Sequence, residues 1–216
     1  MRWSVVACCA VAASVVWLQA QGAPAAPELA RRIQAHYNTV RDFTADFTLT
    51  QTNSLLPRGT VDKGEVRIKK PLRMRWTYAT GDKQQFVSDG AELYAYFPKD
   101  KRVTVSPLPR GNDTSTALLF VAGRGDLTKD FTASTPDAQP AGEWRLVLRP
   151  AAGHRVDFDT LTLDVARDSL ALRGLVVVDE QGGTSAFRFN NLKENQGLTD
   201  REFVFVSPKN VEVERQ

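Results

Sequence analysis

The chain has 216 residues, of which 42% are apolar and 25% charged, the composition of one globular domain or at most two. Its formal net charge of +3, with basic and acidic residues interleaved throughout, carries no nucleic-acid signature. Cys8 and Cys9 are the only cysteines, so neither a disulfide framework nor thiol chemistry is available to the rest of the chain.

The first 25 residues read as a secretory signal. Arg2 precedes an apolar run from Trp3 to Leu18, and Ala23-Pro24-Ala25 fits a small-residue cut before Ala26. The run is shorter than the ~20 residues needed to span a bilayer. Residues 26–216 then form the mature domain.

Pro27 to Arg41 is the clearest helix, because Leu29, Ile33, Tyr37 and Val40 recur at helical spacing behind Pro27 and Glu28. In the strand that follows, Phe43, Ala45, Phe47 and Leu49 alternate with Thr and Asp. Gly64 to Lys70 is a second strand, with Val66, Ile68 and Lys70 on one face. Leu72, Met74, Trp76 and Tyr78 alternate with Arg73, Arg75 and Thr77 in a third. Asp89-Gly90 forms the tight turn between the next two strands. Tyr94 and Tyr96 share one face of the second of these, while Leu93, Ala95 and Phe97 share the other. Such a strand suits either a sheet packed on both sides or a sheet bordering a hydrophobic concavity that takes in a ligand.

Arg102 to Leu108 is a further strand, and Gly111 to Ser115 caps a helix over 114–122 that is apolar nearly all round. From Glu143 onward strands follow one another: around Trp144, Leu161, Leu172, Phe187, the pair Phe203 and Phe205, and Val211 to Val213. About eleven strands and two helices result. With no alternation of strand and helix, the fold class is mainly β, a single antiparallel sheet with helices on one side.

Catalytic and metal chemistry find little support. His36 and His154 stand far apart in sequence, without partners at ligand spacing. Asp157, Asp159 and Asp164 lack the glycine and terminal Glu of a calcium loop and read as a solvated strand face. Ser88-Asp89-Gly90 is explained by its turn, and no base stands near it in sequence. No cofactor motif is present.

One ordered set of residues carries a resemblance. Lys70-Pro71, a strand ending at Trp76, Val87-Ser88-Asp89-Gly90, an aromatic strand and Pro98 follow one another as in the periplasmic outer-membrane lipoprotein carrier family, LolA. From Leu29 to Val213 the chain is similar to that family. The resemblance implies an incomplete barrel of about eleven antiparallel strands with a helical lid over its apolar concave face. It implies a monomeric periplasmic chaperone without enzymatic activity or cofactor. Such a chaperone takes the acyl chains of lipoproteins from an inner-membrane ATP-binding-cassette complex and passes them to an outer-membrane receptor. Met74 and Trp76 match cavity-facing positions. Phe47, Leu49, Met74, Trp76, Leu118 and Phe120 are accordingly expected to line the lipid site. Lys70 stands where the family usually has an arginine that latches the lid, so this latch is weaker or differently built. Two other readings are a sensor or accessory module on the same half-barrel, binding a lipid or a partner protein for envelope stress or lipid export, and a lipid esterase or transferase. The lack of any Ser/His or Cys/His constellation argues against the second.

Overall fold

The computed structural model describes residues 24–53, 59–108, 123, 125–153 and 158–216. The signal segment up to residue 23 and the helix expected over 114–122, with Leu118 and Phe120, lie outside the described residues.

Helix α1 spans Ala26–Thr39, with proline in its first turn and Glu28 bridged to Arg31. The strands are β1 (Asp42–Thr52), β2 (Thr60–Lys69), β3 (Arg73–Tyr78), β4 (Gln85–Asp89), β5 (Glu92–Phe97), β6 (Arg102–Pro107), β7 (Phe131–Ser134), β8 (Glu143–Pro150), β9 (Thr160–Ala166), β10 (Leu172–Val178), β11 (Thr184–Glu194) and β12 (Glu212–Arg215). All twelve belong to one sheet in the order β12-β6-β5-β4-β3-β2-β1-β11-β10-β9-β8-β7. Because β7 and β12 end the row without pairing to each other, the sheet is open. It is not wholly antiparallel: β12 runs parallel to β6, with Val213 opposite Val103.

The longest strands, β1 and β11, pair at the centre, and Phe47 and Leu49 face Phe189 and Phe187. Inward-pointing residues continue across the sheet as the register sets them: Ala45 opposite Val66, Val66 opposite Trp76, and Trp76 opposite Phe86. On the other wing Leu175 meets Leu163, and Leu163 meets Leu146. One continuous apolar core therefore lines the concave side, under α1.

The convex side has a core of its own beneath the C-terminal segment. Phe203 and Phe205, expected in a strand, instead lie in and just after a 3-10 turn at Asp200–Phe203. Phe203 is buried with Val87, Val103 and Val105, and Phe205 stacks on Tyr94 at 5.3 Å. Arg75 donates to the Glu202 and Val204 carbonyls at 2.6 and 2.9 Å, strapping the segment down. The aromatic strand β5 is thus packed on both faces.

Asp164 is no solvated strand residue. It is 2% exposed, accepts a bidentate pair of hydrogen bonds from Arg145 at 2.7 and 2.8 Å, and lies 3.5 Å from Arg188. Arg188 also binds Glu143, and Gly174 leaves the room in which Arg188 and Asp164 approach. Arg145→Met leaves that buried carboxylate with only the longer contact to Arg188. It is expected to lower the unfolding free energy by about 3 kcal/mol, the usual cost of breaking a buried ion pair from one side. Urea unfolding reads this directly, and an unchanged midpoint would refute the role given to the pair.

Candidate functional site

The concave wall is built by alternation. Phe47, Leu49, Met74 and Trp76, four of the six expected lining residues, all lie on it and are all buried, Phe47 at 2% and Trp76 at 1% exposure. Phe47 is the hub, in edge contact with Trp76 at 5.2 Å, Tyr78 at 5.0 Å and Phe187 at 6.0 Å. Phe187 and Phe189, which the sequence places only in a strand, stack on each other and flank Trp76. The indole nitrogen of Trp76 is buried among these rings without a hydrogen-bond partner. Leaving such a donor unsatisfied costs about 1–3 kcal/mol.

Two bulges shape the end of this wall beneath α1. On β11 the register slips by one residue around Asn191, which takes a left-handed φ of 52°. Strict alternation from Phe187 and Phe189 sends Asn191 inward. The slip instead turns Leu192 and Glu194 toward α1. On β10 a second slip, between Leu172 and Gly174, lets both Leu172 and Leu175 face the concave side. The result is an apolar cavity of about 40 Å³, bordered by Ile33, Tyr37, Phe43, Leu163, Leu172 and Leu192. α1 supplies one side of this cavity through Ile33, His36 and Tyr37.

Among the described residues, α1 is fastened to its end of the wall by a few named groups. Leu29, Ala30 and Ile33 are its buried residues. Gln34 accepts the backbone N–H of Leu127 at 2.9 Å, and His36, half-buried, bridges to Glu194 at 3.1 Å.

Lys70, directly after β2, reaches the C-terminal end of α1. Its ammonium donates to the Tyr37 carbonyl and sits over the Tyr37 ring, 3.1 Å from the centroid. Its stem lies against Gly123, where an added Cβ would come within 2.9 Å of Lys70 Cγ. The Tyr37 hydroxyl is bonded to the Gly123 backbone, and its burial pushes its pKa well above the ordinary phenol value. Burial lowers Lys70 from its usual value to about 8, partly opposed by the nearby Glu194 carboxylate. Lys70, Tyr37 and Gly123 thus form one junction between β2, α1 and the backbone at Gly123. Arg73 and Arg75 take no part, since they face the convex side.

Ser88 does what the turn requires: it is buried, and its oxygen accepts the Gly90 N–H at 3.1 Å, while Asp89 accepts those of Ala91 and Glu92. The site offers an apolar wall, a helical cover and a lysine that ties the two together.

Comparison with known proteins agrees with that arrangement. The family model described as "Outer membrane lipoprotein carrier protein LolA" matches residues 38–206, more than three quarters of the chain. An outer-membrane lipoprotein carrier protein of Methylobacillus flagellatus is 26% identical over 214 residues, covering 99% of this chain and 98% of that protein. One of Hahella chejuensis is 29% identical over 181 residues, covering 82% of this chain and 83% of its own. Among solved structures, an uncharacterized conserved protein from Thermus thermophilus shares the fold with a TM-score of 0.54 at 16% identity, covering 88% of this chain and 98% of that one. With its open sheet, apolar concave wall and covering helix, and with a family match that takes in β1 through β11, this chain belongs to the outer membrane lipoprotein carrier protein LolA family.

Proposed function

We propose that this protein is a periplasmic carrier that hides the acyl chains of lipoproteins between its concave wall and α1, and moves them from the inner to the outer membrane. The observation that supports this most is the continuous apolar wall of Phe47, Leu49, Met74, Trp76, Phe187 and Phe189, with α1 packed beside it over a small apolar cavity. The carrier works by binding and release alone, with no catalytic residues and no cofactor. It receives cargo from an inner-membrane ATP-binding-cassette complex and hands it to an outer-membrane receptor.

The energetics suit a shuttle. An acyl chain of about 15 methylenes costs roughly 12 kcal/mol to leave in water, at ~0.8 per methylene. Lifting α1 exposes Leu29 and Ile33, at about 1.5–3 kcal/mol each. A single chain therefore offsets the opening of its own cover. Because the closed form re-buries the wall after release, the empty carrier stays soluble between trips.

Lys70 is the latch in this reading through the N–H it donates to the Tyr37 carbonyl, a bond that the ammonium and the neutral amine can both make, while its burial sets a pH dependence. In the closed form it holds its proton less tightly than a solvated lysine, about 8 against 10.5. Closure therefore releases a proton between those values, and rising pH favours the closed form across that window. Uptake of a fluorescent fatty-acyl probe is expected to be flat with pH below about 8 and to slow progressively above it. Lys70→Arg should abolish that slope and, with its planar fork of donors, slow cargo release at neutral pH. A wild-type profile that rises with pH would contradict the dependence that burial of Lys70 sets, and an arginine variant that releases faster would contradict the latch.

The function is tested by mass spectrometry of protein purified gently from the periplasm. Acylated lipoprotein or its lipid-bearing N-terminal peptide should co-purify. Protein that is consistently lipid-free, even when lipoprotein release is blocked downstream, would overturn the reading.

A further inference from the structure

The wall holds one tryptophan among phenylalanines. Trp76 is ringed by Phe47, Phe187 and Phe189, and faces Val66 and Phe86 across the neighbouring strands, all purely hydrocarbon side chains. Among the described residues only Trp76 Nε1 and Arg102 Nε are buried side-chain polar atoms without a partner. Arg102 is half-buried at the far end of the sheet, its guanidinium over the Phe97 ring, and needs no guest. Trp76 has no such excuse: its N–H lies in the middle of the apolar wall, where nothing in the closed protein accepts it. Weak contact with a ring face is the most its neighbours offer.

A donor kept without an acceptor calls for a guest that carries an acceptor and no donor. An acyl chain is such a guest. Its tail is hydrocarbon, and the group that follows the tail into a hollow is its ester, which has no N–H or O–H and accepts through its carbonyl oxygen. We propose that Trp76 Nε1–H donates a hydrogen bond to the carbonyl oxygen of a bound acyl chain, so that Trp76 fixes how deeply the chain enters and selects acyl over alkyl ether lipids. This rests on the carrier reading above. It adds to it a specificity-determining contact, and it gives Trp76 a role that Phe47 or Phe189 does not share.

The test compares monopalmitoyl glycerophosphocholine with its hexadecyl ether analogue, which replaces the carbonyl by a methylene. Wild-type protein should bind the ester about five- to tenfold more tightly than the ether, the discrimination one neutral hydrogen bond supplies. Trp76→Phe should bind both lipids alike. In wild-type protein labelled with 15N, the Trp76 indole N–H resonance, assigned from through-space contacts to the Phe47, Phe187 and Phe189 rings within the wild-type protein, should move downfield with the ester and not with the ether. That measurement holds even if the phenylalanine variant is poorly folded. An ester preference that survives in Trp76→Phe, or an indole resonance that responds equally to both lipids, overturns the proposal and leaves the carrier reading standing. Failure of the wild-type protein to bind either lipid removes the carrier reading and the proposal with it.

Discussion

Gly64→Ala is expected to destabilise the protein by about 3 kcal/mol, at the upper end of what overpacking costs in a core. A Cβ built at Gly64 lies 2.2 Å from the Thr77 carbonyl oxygen and 2.6 and 2.7 Å from two carbons of the Phe47 ring. Neither neighbour yields easily. The carbonyl belongs to β3, which is locked to β2 along its length, and the ring is wedged between Trp76, Tyr78 and Phe187. Gly64 is what allows Phe47 to lie flat across β2 and act as the hub of the wall. Gly142→Ala is the control: its φ of 72° makes alanine mildly unfavourable, but nothing lies within 4 Å of the added methyl. Thermal unfolding should separate the two variants clearly. Equal melting temperatures would mean that the packing of Phe47 on Gly64 is not what holds the wall.

The second large effect concerns the cover. Ile33 is the buried residue of α1 that borders the cavity, and its truncation to alanine removes about 2 kcal/mol or more from the closed form. The open form exposes Ile33 in any case, so little of this is recovered there. At 1.4 kcal/mol per decade, the open fraction should rise about 30-fold. The rate of acyl-probe uptake should rise with it, while Arg32→Ala, on the exposed side of the same helix, changes nothing. Uptake by Ile33→Ala at the wild-type rate would show that α1 is a fixed part of the fold and that the chain enters elsewhere.

Much of this architecture is written in simple periodicity. Alternation in β1 and β3 places Phe47, Leu49, Met74 and Trp76 on one wall, and the spacing of Leu29, Ile33 and Tyr37 marks the covering helix. What periodicity does not carry are its own interruptions. The bulges on β10 and β11 shift the phase by one residue, so that Leu192 and Glu194 meet α1 although alternation from Phe187 turns them away. Asn191 is the one local hint, being a residue that tolerates a left-handed φ. Phe203 and Phe205 mimic a strand because both pack on the same surface, yet they do so from a 3-10 turn whose capping by Thr199 and Glu202 is local. Asp164 reads as solvated because its partners, Arg145 and Arg188, come from strands on either side of its neighbourhood. Such contacts depend on register and are invisible in the chain order. β7 is only four residues long and has no pattern strong enough to announce it. The orphaned N–H of Trp76 is likewise a property of what surrounds it in space.

Whether α1 must leave the wall for a chain to enter is settled most directly by tethering it. His36 on α1 and Glu194 on β11 touch in the closed form, so cysteines at these two positions, joined by a short, reducible thiol crosslinker, pin the cover to the sheet. The tethered protein should take up no palmitoyl lysolipid, and reduction of the linker should restore uptake to the level of the uncrosslinked variant. Full uptake with the linker intact would contradict the account.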